Sequence, residues 1–175
     1  MTNIHSRRGQ TLVEALVALS ILTTGFVGIV ALLTKSFQLN RTTSNDTQAT
    51  YLAAEGIEIT KSLIDHDVYT GLSVGSTDWG LSFLNSGYYW DIDYETTSTV
   101  GLFHANQMQT SPLYFNPTTH LSGYYTFGAT PTDFVRNIKV TNNNGNELDV
   151  QSIVTWTDGG LSNTVTLEDH FYDYL

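Results

Sequence analysis

From Leu12 to Leu33 the chain is apolar for 22 residues, interrupted only by Glu14, Ser20, Thr23, Thr24, Gly25 and Gly28. At 1.5 Å per residue this run makes a helix of about 33 Å, enough to cross a hydrocarbon core of roughly 30 Å. A buried core helix would be equally apolar, but would have no use for the basic pair Arg7 and Arg8 that precedes it. That pair has no matching basic cluster soon after the run, so the N-terminus is expected in the cytoplasm and everything from about Lys35 onward outside. A conventional signal peptide would end in small residues. Here the run ends in Thr34-Lys35-Ser36-Phe37-Gln38, and it is also long for such a signal.

Glu14 sharpens this reading. A carboxylate within a spanning helix costs roughly 2.5–3.5 kcal/mol near mid-bilayer and less near the interface. The apolar run contains no Lys or Arg to pair with it. The compensating cation is therefore expected from another chain.

Composition excludes several classes of function. The chain has 175 residues, with 7 Lys+Arg against 17 Asp+Glu and a formal net charge of −10. The length suits one modest domain plus an anchor. The negative balance repels phosphate backbones and anionic lipid, so neither nucleic-acid binding nor peripheral membrane binding is expected. Cysteine is absent, which removes disulfides, thiolate zinc sites and a cysteine nucleophile. Thr, Ser, Asn and Gly fill much of the polar surface, as in exported proteins.

The segment Arg8-Gly9-Gln10-Thr11-Leu12-Val13-Glu14-Ala15-Leu16 resembles the leader junction of type IV prepilins and type II secretion pseudopilins. The resemblance implies that a prepilin peptidase cuts between Gly9 and Gln10, with Arg7 and Arg8 as the basic residues of the leader. It implies N-methylation at Gln10 and a role in subunit assembly for Glu14, the fifth residue of the mature chain. In that family the glutamate is thought to pair with the N-terminal amine of a neighbouring subunit. An ammonium created by cleavage is the kind of cation that Glu14 lacks. The implied partners are other pilin subunits, the peptidase, an inner-membrane assembly platform and, before assembly, the lipid bilayer. The chain departs from the family pattern in two places. The first mature residue is usually Phe or Met rather than Gln, although Gln occurs among minor pilins. The anchor also lacks the proline of many major pilins. Gly25 and Gly28 could provide the local helix weakness instead, or serve close helix packing. More loosely, Tyr51-Leu52-Ala53-Ala54-Glu55-Gly56-Ile57-Glu58 resembles the type IV pilus modification proteins, the PilV-like minor pilins.

Beyond the anchor, Ala49, Leu52, Ala53, Gly56, Ile57, Leu63 and Ile64 recur at three- and four-residue spacing and mark one face of a helix. With no proline in between, one helix is expected from about Thr11 to Asp65, on the order of 80 Å long. Residues 67–130 lack long periodicity, with strands expected at most over Tyr88–Glu95 and Gly123–Phe127. The C-terminal third alternates clearly. Phe134–Thr141, Glu147–Thr157 and Asn163–Tyr174 read as three strands joined by Asn142-Asn143-Asn144-Gly145-Asn146 and by Asp158-Gly159-Gly160. The expected fold is α+β, with a long N-terminal helix packed against an antiparallel β-meander. The expected segments are a leader (1–9), a transmembrane or filament-core helix (10–34), an amphipathic continuation (35–66), a variable loop region (67–130) and the meander (131–175).

No catalytic apparatus stands out, and the chain is expected not to be an enzyme. No nucleophile-elbow pattern surrounds any serine. The histidines His5, His66, His104, His120 and His170 have no metal-ligand spacing to one another. Asp91, Asp93 and Glu95 form a D-x-D-x-E row that could face a hard cation such as calcium. A solvated strand face explains the row more simply, and no cofactor is expected. The aromatic groups Tyr88-Tyr89-Trp90 and Phe171, Tyr172, Tyr174 are expected mainly in core packing. The functional expectation is a minor pilin, first a single-pass membrane protein with an extracytoplasmic head and then part of a surface filament. A pseudopilin of a secretion or DNA-uptake machine and a non-polymerising, membrane-tethered binding domain are the alternatives.

Overall fold

The computed structural model describes residues 8–70, 88–90, 92–93, 104–105, 107–116, 123–125, 130–143 and 146–172. The elements, in order, are α1 (Arg8–Thr70), β1 (Tyr88–Trp90), β2 (His104–Ala105), β3 (Tyr114–Asn116), β4 (Gly123–Tyr125), β5 (Thr130–Pro131), β6 (Phe134–Asn143), β7 (Glu147–Asp158) and β8 (Leu161–Tyr172). The α+β class is as expected. The helix has 63 residues and extends past both ends of the expected Thr11–Asp65 span. The first proline in the chain is Pro112, so no missing N–H interrupts the helical ladder.

The chain divides into two units, Met1–Ser44 and Asn45–Leu175, and α1 contributes to both. In the first unit every side chain from Gln10 to Ser44 is exposed. The helix Gln10–His66 contains an 18-residue window of mean hydropathy 2.4, none of it buried, and is long and apolar enough to cross a membrane. The hydroxyls of its apolar run, Ser20, Thr23 and Thr24, are satisfied within the helix. Ser20 Oγ donates to the Leu16 carbonyl at 2.8 Å, Thr24 Oγ1 to that of Ser20 at 2.8 Å, and Thr34 Oγ1 to that of Val30 at 2.9 Å. These bonds matter in lipid, where no water can take their place.

In the second unit a five-stranded sheet has the order β2-β1-β6-β7-β8, with every neighbouring pair antiparallel. A smaller sheet has the order β4-β3-β5. The β6-β7-β8 meander is the one expected from the alternation. Its second turn is Gly159-Gly160, with φ of 59° and 82°. Two successive positive φ values suit a type I′ hairpin, whose twist matches the flanking strands and which glycine adopts without strain.

Alternate residues of β7, Leu148, Val150, Ser152, Val154 and Trp156, are buried on one face of the sheet. Ala49, Leu52, Ala53, Gly56, Thr60, Leu63 and Ile64 form the buried stripe of α1. Two apolar clusters result. Leu63 and Ile64 join Trp90, Ile92, Ile138, Val140, Leu148 and Val150; Ala49, Leu52 and Ala53 join Leu113, Phe134, Val154 and Trp156. Each fully buried Leu, Ile or Val contributes roughly 1.5–3 kcal/mol.

At Gly56 the helix comes closest to the sheet. A Cβ there would stand 2.5 Å from Ser152 Oγ and 2.6 Å from Ile138 Cδ1. Arg136 occupies a core-facing position of β6, with its side chain wholly buried. Its Nη1 donates to the Leu52 carbonyl at 3.1 Å and its Nη2 to the Ile92 carbonyl at 3.0 Å. Glu55 Oε1 lies 3.5 Å from Nη1. Asn137, on the opposite face of β6, accepts from the Gln109 N–H at 2.6 Å and donates to its carbonyl at 3.2 Å.

One strand expectation needs correction. The expected Tyr88–Glu95 strand ends at Trp90, and Ile92 and Asp93 lie outside it. The Ile92 carbonyl is taken by Arg136 instead of a neighbouring strand. The expected Gly123–Phe127 strand is seen as β4, Gly123–Tyr125, and Thr126 and Phe127 lie outside the described residues.

Candidate functional site

Of the residues expected to govern processing and assembly, Arg7 lies outside the described residues, while Arg8 and Gly9 lie in the first turn of α1. Gln10 and Glu14 are exposed on the helix. Large apolar side chains surround Glu14 along the chain: Leu12 is 64% exposed, Leu16 57% and Val17 53%. Apolar surface left open to this degree over the whole Leu12–Leu33 segment must be covered by lipid or by other chains.

The helical period places Glu14, Ala18, Ile21, Gly25, Gly28 and Leu32 on one narrow face, since the spacing alternates between four and three. Three of these six are Ala or Gly. A Cβ at Gly25 or Gly28 would meet nothing within 4 Å. The stripe therefore offers a second helix a close approach beside the carboxylate.

The D-x-D-x-E row does not form a solvated strand face at its centre. Asp93 is buried, at 8% exposure. Asp91 and Glu95 lie outside the described residues, as do His5 and His120. His66 is exposed near the end of α1, and His104 belongs to β2.

The structure does assemble one group that sequence spacing missed. In the β7–β8 pairing, Glu147 stands opposite Tyr172, Asp149 opposite His170 and Gln151 opposite Glu168. These residues share the face of the sheet turned away from Leu148, Val150 and Val154. His170 Nδ1 lies 2.9 Å from Glu147 Oε1, and its Nε2 lies 3.4 Å from Glu168 Oε1. The hydrogen bond from Tyr172 holds the Glu147 carboxyl below its ordinary range, with help from Asn143 and His170, while burial works the other way. Burial pushes Asp149 upward, and Glu168 adds to this; His170 and Lys139 pull it down. The group could be found only through strand register, because residues 149 and 168 are far apart in the chain.

Residues 4–30 match the prokaryotic N-terminal methylation motif. The matched segment contains Arg7, Arg8, Gly9, Gln10 and Glu14 and most of the apolar run. No curated protein and no solved structure matches the chain. The motif and the apolar helix together support a type IV pilin-like or pseudopilin-like reading, with a helix long and apolar enough to anchor the chain in a membrane.

Proposed function

We propose that this chain is a minor pilin, a structural subunit of a type IV pilus-like filament. The observation that carries this reading is the coincidence of the methylation motif with a fully exposed apolar segment of α1, Leu12–Leu33, holding a single carboxylate. The chain inserts with its N-terminus in the cytoplasm and its globular unit outside. Prepilin peptidase cuts between Gly9 and Gln10, and Gln10 is then N-methylated. An assembly platform draws the helix from lipid into the filament, where neighbouring helices replace acyl chains around Leu12–Leu33. Glu14 takes the N-terminal ammonium of a neighbour as its counter-ion. In a low-dielectric surround this pairing is favourable only at one axial offset, so it sets the register.

The test is to express the full chain with a prepilin peptidase and read the mature N-terminus by mass spectrometry. A chain beginning at Gln10 is expected, with a methyl group on its amine. An intact Met1 would overturn the reading in favour of a permanent tether. A start near Lys35 would overturn it in favour of a secreted domain. Recovery of the mature chain in sheared surface filaments is the expected second result, and its retention in a periplasm-spanning secretion complex would identify a pseudopilin.

A further inference from the structure

We propose that the outer face of β7–β8 holds one divalent cation of the zinc class, ligated by Asp149, Glu168 and His170. One ligand atom from each of these residues lies within 4.8 Å of the others. A tetrahedral ion with bonds of about 2.0–2.1 Å sets its ligand atoms roughly 3.4 Å apart. His170 Nε2 and Glu168 Oε1 already stand 3.4 Å apart. Asp149 lies directly across the ladder from His170, so the main chain fixes the third position. Small side-chain rotations complete the site.

Asp149 supplies an independent sign. Its Oδ1 has less than 1 Å² of accessible surface and no hydrogen-bond partner among the described residues. A buried carboxylate oxygen without a donor is costly, and the cost falls when a cation occupies the open side. The charged groups around it are Glu147, Glu168, His170 and, on β6, Lys139. Three carboxylates thus face one lysine and one imidazole, a balance that favours an added cation.

Glu147 has a separate role. It stands 2.9 Å from Nδ1 of His170, which fixes the ring and leaves Nε2 turned toward Glu168. This is the arrangement in which an outer carboxylate orients a histidine ligand and raises its basicity. An imidazole nitrogen with two carboxylate oxygens suits zinc and its neighbours better than calcium, which prefers six to eight oxygens. Water would complete the coordination. The bound ion would staple β8, the last strand of the five-stranded sheet, to β7.

The experiment uses the full chain in detergent micelles, stripped with EDTA, and titrated by calorimetry with zinc chloride or calcium chloride near neutral pH. One zinc per chain is expected, and the heat should be absent with calcium. His170→Gln and Asp149→Asn should each weaken zinc binding by about 10–100-fold. In the unaltered chain, zinc should shift the His170 ring resonances in the NMR spectrum. Absence of zinc binding would overturn the proposal. So would equal zinc affinity in both variants, which would place the ion elsewhere, or calcium binding as tight as zinc, which would mean an all-oxygen site. Unmoved His170 resonances would overturn it whether or not the variants fold.

Discussion

The buried guanidinium of Arg136 donates to the carbonyl oxygen of Leu52 over 3.1 Å, joining strand β6 to the buried stripe of α1. The same side chain donates to Ile92 and lies 3.5 Å from the Glu55 carboxylate. Truncating Arg136 to alanine takes a charged donor from each of two carbonyls and removes the packed stem, so Arg136→Ala should cost about 3 kcal/mol. Glu55 is one-third exposed at its side chain, and water can replace much of what it gives. Glu55→Ala should therefore cost about 1 kcal/mol or less. Urea unfolding followed by tryptophan fluorescence, with Trp90 and Trp156 both in the core, measures each loss.

Gly56 is constrained by space rather than by backbone angle. A single methyl at this position would collide with Ser152 Oγ and Ile138 Cδ1. Gly56→Ala gains helix propensity of about 1 kcal/mol but forces the helix away from the sheet. Overpacking of this kind costs about 1–3 kcal/mol, so a net loss of stability is expected. A higher urea midpoint for Gly56→Ala would show that the interface relaxes freely.

Gly25 presents the reverse case. Among the described residues, no atom beyond its own helix turn lies within 4 Å of its missing Cβ. Gly25→Leu should leave the melting curve of the globular unit unchanged. If the small-residue face beside Glu14 is where a neighbouring helix packs, the same change should lower recovery in filaments several-fold. Immunoblots of sheared filaments against total membranes measure the ratio.

Glu14→Ala should be inserted and processed at Gly9, yet be incorporated poorly, because the neutral side chain no longer selects one axial offset. Glu14→Asp should restore part of the incorporation. Normal filament incorporation of Glu14→Ala would remove the register role.

Asp149 gives stability a definite pH dependence. Its carboxyl is raised above the ordinary 3.8 by burial and by Glu168. Between 3.8 and the folded value, the folded chain holds a proton that the unfolded chain has released. This contribution is therefore present below 3.8 and lost as pH rises through the folded value. Glu147 acts oppositely, since its value lies below 4.5; its contribution is present above 4.5 and lost as pH falls through the folded value. In the presence of chelator, Asp149→Asn should gain stability over the unaltered chain as pH rises from about 3 to 6. Paired urea titrations at the two pH values measure this gain.

The sequence by itself determined what depends on local order along the chain. The apolar run and the absence of proline before Pro112 specify a long helix, whatever lies beyond it. The alternation in Phe134–Thr141 and Glu147–Thr157, with Asp158-Gly159-Gly160 after the second strand, specifies the meander, because period-two patterning and positive-φ turns act over a few residues. The basic pair, Gly9 and Glu14 carry their meaning by position alone, so the motif was legible at once. Only the tertiary structure decided the rest. Strand β1 is three residues long and exists because β6 offers its edge, a pairing across some fifty residues that no local pattern records, and the two-residue β2 pairs in turn with β1. Arg136 shares its strand face with Phe134, Ile138 and Val140, and the carbonyls of Leu52 and Ile92 and the Glu55 carboxylate meet its buried charge only once helix and sheet have packed. Asp149, Glu168 and His170 become neighbours through the register of two strands. Chemistry built from residues far apart in the chain is fixed by pairing and packing, and these are decided only when the whole sheet forms.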